Sequence, residues 1–182
     1  MYVKGSPWYT WHEMAKTLYV LRHGKSKRGP EFDTDFDRTL APRGQRNAPV
    51  VGRLLRGSTP PPRLVVASPA ARARETAELV AAELDEPNLR LHEGLYGAYG
   101  SELMRAVELL PDEEEAVLIV GHNPGLEGLV DELTNSDSTI LKTCSLAVLQ
   151  SDVDSWQEFE PGCCRLVKLV HPRDLDSGEI DN

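Results

Sequence analysis

Two arginines, two histidines and a glutamate stand out in this chain because each follows directly on a short apolar run. They are Arg22 and His23 in Arg22-His23-Gly24, Arg72 in Ser68-Pro69-Ala70-Ala71-Arg72, Glu93, and His122 in Gly121-His122-Asn123-Pro124. Arginine is always charged and its planar fork matches the oxygens of a phosphate. Two arginines and a histidinium would offset the charge that spreads over the equatorial oxygens of a phosphoryl group in transfer. A neutral imidazole is also a competent nucleophile near pH 7 and forms a covalent phosphoryl intermediate. Gly24 lets the backbone pass close to a ligand. Each stretch alone has a plain alternative: a capped strand end for the first, a surface arginine for Arg72 (as we read Arg74), a solvated loop carboxylate for Glu93, and a strand-to-helix turn around His122. Their conjunction, each just past a strand, points to one shared anion site.

The elements that must position these residues are legible as alternating apolar runs and helical repeats. Buried strands are expected over 17–21, 64–67 and 116–120 and a further short strand over 89–91, with late strands over 146–149 and 166–170 forming an antiparallel edge. Helices are expected over 46–56, with Ala48, Val51, Leu54 and Leu55 on one face and Pro49 in the first turn. Others are expected over 71–84, over 102–110 capped by Ser101, and over 124–133. The polar stretch 24–44 reads as a long loop, of the kind that is often functional. Nearly all-apolar strands alternating with helices predict an α/β fold, a three-layer α/β/α sandwich with a mostly parallel central sheet. In such sheets ligands bind beyond the carboxyl ends of the strands, where all of these residues fall. The helix after His122 would also present its free N–H groups to an anion there.

The 182 residues suit one domain, expected over 16–172, with an N-terminal extension at 1–15 and an acidic tail at 173–182. The net charge of −9 disfavours a general nucleic-acid binder. No apolar run approaches a membrane span, and the start, with Trp8 and Trp11, is unlike a signal peptide; a cytoplasmic location is expected. The three cysteines, Cys144, Cys163 and Cys164, read as reduced thiols without zinc spacing. No carboxylate cluster suggests a magnesium cage, so neither metal nor cofactor is expected. No GxGxxG opens a helix after the first strand, against a dinucleotide fold.

The stretches LYVLRHGKS (18–26), ASPAARARETA (67–77) and VLIVGHNPGLEGLV (117–130) resemble the histidine phosphatase superfamily, which includes the phosphoglycerate mutases and acid phosphatases. With DFDRTLAPRG (35–44) they are most similar to its small phosphohistidine phosphatase branch, SixA. The resemblance spans about 16–172 and implies a phosphoglycerate mutase-like fold and metal-independent chemistry. It implies that His23 is the nucleophile, that Arg22 and Arg72 clamp the phosphate, and that His122 binds it and stabilises the transition state. The backbone N–H of Asn123 would join them, and Glu93 lies where larger members place a general acid. Two departures stand out. The loop after His23, KSKRGPEF, lacks the asparagine that many relatives use, leaving Lys25, Ser26 or Arg28 as substitutes. The long insertions that close over a sugar or inositol ring are also missing, which implies an open site suited to a phosphorylated protein side chain. Asp37 and Arg38 would hold the long loop.

Three functions remain open on these grounds. The first is a protein phosphohistidine phosphatase, in which an imidazole leaving group makes Glu93 dispensable. The second is a phosphomonoesterase or mutase on a small substrate, in which Glu93 is essential. The third is a phospho-ligand-binding module without catalysis.

Overall fold

The computed structural model describes residues 16–172, so the extension 1–15, with Trp8 and Trp11, and the tail 173–182 lie outside the described residues. Strand β1 (Lys16–Arg22) leads through a long loop to helix α1 (Pro42–Arg56). Strand β2 (Leu64–Ala67), helix α2 (Ala71–Ala81) and strand β3 (Asn88–Leu91) follow. A short 3-10 turn, Glu93–Leu95, precedes helix α3 (Gly100–Glu108), strand β4 (Ala116–Gly121) and helix α4 (Gly125–Thr134). Strands β5 (Leu146–Ser151) and β6 (Arg165–Val170) close the chain.

The sheet order is β3-β2-β4-β1-β5-β6. Strand β4 is parallel to both β1 and β2, and β2 is parallel to β3. Strand β5 runs antiparallel to β1 and to β6, which supplies the expected antiparallel edge. The chain first steps from β1 outward to β3 and then returns through β4. That reversal places α1 and α2 on one face and α3 and α4 on the other, because crossovers keep one hand. Side chains alternate accordingly. Leu18, Val20, Val117 and Ile119 join α3 and α4 in one core, while Tyr19, Leu21, Leu118 and Val120 join α1 and α2 in the other. The α/β sandwich expected from the sequence is the fold observed.

Three local expectations differ from the structure. Helix α1 begins at Pro42, not near residue 46, so Pro49 lies inside it rather than in its first turn. Pro42 fills the position that tolerates proline, and the helix accepts the loss of one backbone bond at Pro49. Gly44 explains the early start: a Cβ there would lie 2.5 Å from the Lys25 carbonyl oxygen, so the first turn of α1 packs directly on the loop after His23. Ser101 is exposed within the first turn of α3 and is not its cap; Tyr99 is, and its backbone N–H donates to Glu102 Oε2 at 3.2 Å. The carboxylate thus does the satisfying that the serine was expected to do.

Cys144 is buried, and Cys144, Cys163 and Cys164 are all free thiols. Among the described residues no helix is long and apolar enough to cross a membrane.

Candidate active site

The parallel strands β3, β2, β4 and β1 end at the same edge of the sheet, so the residues that follow them line up there. The central pair is fixed by backbone bonds: the N–H of His23 donates to the Gly121 carbonyl at 3.0 Å, and the N–H of Ser68 to the Val120 carbonyl at 3.0 Å. This carries the ladder one residue beyond the strands and sets His23, Ser68 and His122 side by side.

His23 is 8% exposed. Its Nδ1 lies 2.7 Å from the carbonyl oxygen of Gly24, an acceptor only, so Nδ1 carries the proton and donates it. The lone pair is therefore on Nε2, which receives the Arg72 Nε–H at 3.2 Å. Burial, with help from the nearby His122 and the two guanidiniums, pushes the pKa of His23 down to about 3, against the pull of the Gly24 bond. The imidazole is neutral at pH 7.

The His122 ring lies 5.0 Å from the His23 ring, centroid to centroid. Its Nε2 is 2.9 Å from Ser68 Oγ, while its Nδ1 is buried without a protein partner. Burial and the Arg72 and Arg22 charges lower its pKa to about 4, with Asp35 opposing. Tyr96 stands edge-on to His122, and Phe36 edge-on to Tyr96, forming an aromatic wall.

Arg22 ends β1 and donates through Nη1 to the Leu141 carbonyl at 2.7 Å, while its Nε is buried and unpartnered. The same carbonyl accepts from Asn123 Nδ2 at 2.9 Å, and the Leu141 N–H is held by Glu127 Oε1 at 2.8 Å. Burial lowers the pKa of Arg22 and Glu127 raises it, but a guanidinium stays charged. Arg72, 7% exposed, rises from the first turn of α2. Thr76 ties that turn to the nucleophile loop: its Oγ1 accepts from the Gly24 N–H at 2.9 Å and donates to the Arg72 carbonyl at 2.6 Å.

Arg22, His23, Arg72 and His122 are thus brought together as expected. Buried donors such as the Arg22 Nε–H are costly without a partner, and an anion would satisfy them. Asn123 is adjacent; its Nδ2 donates to the Leu141 carbonyl and its Oδ1 is buried without a partner. Glu93 opens the 3-10 turn beyond β3, exposed and hydrogen-bonded to none of the other five. Of the loop substitutes, Ser26 is buried and accepts from Arg38 Nη2 at 2.6 Å, while Lys25 and Arg28 are exposed. Asp35, Ser68, Thr76, Tyr96 and Glu127 were not foreseen as parts of the site. Ser68 stood in a strand-end motif; the others contact it through pairings distant in sequence. Among the described residues no group of three or more His, Cys, Asp or Glu side chains is placed to hold a metal ion.

The family description "Histidine phosphatase superfamily (branch 1)" matches residues 18–102. An uncharacterized protein of Mycobacterium tuberculosis is 34% identical over 163 residues, which cover 84% of this chain and all of that protein. Among solved structures, a candidate phosphohistidine phosphatase SixA from Nakamurella multipartitia aligns with a TM-score of 0.76 at 28% identity, over 86% of this chain and 96% of that one. A protein histidine phosphatase SixA complexed with tungstate shares the fold, with a TM-score of 0.75 at 22% identity, over 87% of this chain and 99% of that one. The chain belongs to the histidine phosphatase superfamily and is a phosphatase.

Proposed function

We propose that this protein is a phosphohistidine phosphatase of the SixA type, which removes phosphate from an imidazole through a phosphohistidine intermediate on His23. The observation that carries the reading is the fixed tautomer of His23: with Nδ1–H given to Gly24, the Nε2 lone pair faces Arg72 beside His122. In this reading Nε2 attacks phosphorus in line, and Arg22, Arg72 and His122 hold the equatorial oxygens, with the Asn123 backbone N–H adding a donor. The bond from phosphorus to the substrate imidazole breaks as the new P–N bond forms. Water then attacks phosphorus and His23 leaves with its electron pair. With its far ring nitrogen protonated, the substrate imidazole departs as a neutral base whose conjugate acid has a pKa of about 6.5, so no acid is needed at the breaking bond, unlike for an alkoxide. The exposure of Glu93 and its lack of a hydrogen bond to the other groups agree with that. The likeness to the Nakamurella structure supports the same substrate class.

The test is phosphate release from a phosphohistidine peptide and from an aryl phosphate, with EDTA present, together with acid-labile labelling of the enzyme. Wild type should turn over and label, and His23→Ala should do neither. Glu93→Gln should retain phosphohistidine turnover within about threefold of wild type, because removing a group outside the transition state changes little. A Glu93→Gln protein dead on every substrate would shift the assignment to an ester substrate. A labelled His23→Ala protein would remove His23 from its role.

A further inference from the structure

Asp35 lies in the long loop between β1 and α1, more than thirty residues from Arg72, yet it takes up one whole edge of that guanidinium. Arg72 Nη1 donates to the Asp35 backbone carbonyl at 2.5 Å, and Nη2 donates to its Oδ2 at 2.8 Å. A guanidinium has five N–H donors in a rigid plane, so an arginine held at its end-on edge still presents Nε and the inner hydrogen of one terminal nitrogen. Here that remaining edge points at His23 Nε2. Asp35 is itself braced. Arg38 Nη1 bonds the other carboxylate oxygen, while Arg38 Nη2 reaches Ser26 Oγ at 2.6 Å and Nε reaches the Lys27 carbonyl at 2.9 Å. The contacts close a ring: His23, the three residues after it to Ser26, Arg38, Asp35, Arg72, and back to His23. Partial burial pushes the Asp35 carboxyl up, but Arg38 and Arg72 outweigh it and keep it below its usual range.

We infer that Asp35 is the positioning residue of Arg72: it holds the guanidinium by one edge so that the other edge meets the phosphoryl group at His23 Nε2, and its charge tempers how tightly phosphate is retained. This rests on the reading that Arg72 binds the phosphoryl group. It goes beyond that reading by assigning to the acidic loop the alignment of the clamp and the release of product. Apart from the Asp35 contacts and its bond to His23, no hydrogen bond holds the Arg72 side chain among the described residues, and a long side chain left with the His23 contact alone would lose much of its orientation. A carboxylate on one edge of the guanidinium also opposes a dianion on the other. Removing one charge from the far edge of the guanidinium in a partly solvated site is worth about a three- to tenfold change in affinity.

Two substitutions separate alignment from charge. Asp35→Ala removes the carboxylate contact to Nη2 and the charge while leaving the backbone carbonyl on Nη1, and Asp35→Asn keeps an oxygen for Nη2 while discarding the charge. Turnover of an aryl phosphate, orthophosphate affinity by calorimetry and the thermal midpoint are measured for each. Asp35→Ala should lower kcat by at least about tenfold, since misplacing a clamp by a fraction of an ångström has effects of that order. Asp35→Asn should recover much of that loss and bind orthophosphate about three- to tenfold tighter than wild type. Asp35→Ala turnover within twofold of wild type overturns the inference. So does an Asp35→Asn protein that folds like wild type and binds orthophosphate no tighter. If Asp35→Ala does not fold, Asp35→Asn decides alone. Undiminished orthophosphate binding by Arg72→Ala would instead sink the parent reading, and the calorimetry reports on that without any turnover.

Discussion

At the scale of single residues, the site depends on keeping two imidazoles neutral among fixed positive charges. The pKa of His23 is depressed to about 3 and that of His122 to about 4, against 6.5 for a free imidazole. The sign of the consequence for stability follows from proton counting. Between pH 6.5 and about 3 the unfolded chain binds a proton at His23 that the folded chain refuses, so stability rises with pH through that window. It is fully present above 6.5 and is lost as pH falls toward 3. By pH 4.5 the stability lost through His23 is about 2–3 kcal/mol. The check is urea denaturation of wild type and His23→Ala at pH 7.5 and pH 4.5. The variant should lose less stability on acidification, by about that amount, and an equal loss in both proteins would show that His23 is not held neutral. The comparison cancels the carboxylates, which titrate in the same range.

At the scale of elements, the hydroxyl of Thr76 is one of the links that join the nucleophile loop to α2, and the one that holds the Gly24 N–H. Thr76→Val keeps the shape but leaves the buried Gly24 N–H without its acceptor. It should cost about 1–3 kcal/mol in denaturant unfolding and lower kcat without a matching rise in KM. A variant as stable as wild type would mean that Gly24 finds another acceptor. Such pairings also mark what the sequence concealed. The strands were legible because β1, β2 and β4 are continuous apolar runs buried on both faces. The positions of His23, Arg72 and His122 followed from them, since residues after parallel strands share one edge. The start of α1 was not legible, because its first turn is polar and is held by the close approach of Gly44 to Lys25 rather than by an apolar face. Asp35 was hidden for a related reason. It sits among Asp33, Asp37 and Glu31 in one acidic stretch, and only the folded loop decides which of them meets Arg72. Asp37, singled out from the same motif, accepts instead from Thr34 within its own turn.

At the scale of the whole molecule, a chain of net charge −9 concentrates two guanidiniums at one edge of its sheet. The two helical layers meet at that edge and are otherwise separated by the sheet, each with its own apolar core. Arg72 belongs to α2 in one layer, and His122 leads into α4 in the other. An oxyanion gripped by both is therefore a further staple between two halves that already meet at that end through the His122–Ser68 bond. Vanadate at a hundred times its dissociation constant should stabilise the fold by about 2.7 kcal/mol. It should also slow amide hydrogen exchange at the starts of α2 and α4 together. Protection confined to one helix would mean that the anion rests on a single layer; protection of both would make the ligand a structural member of the protein for as long as it is bound.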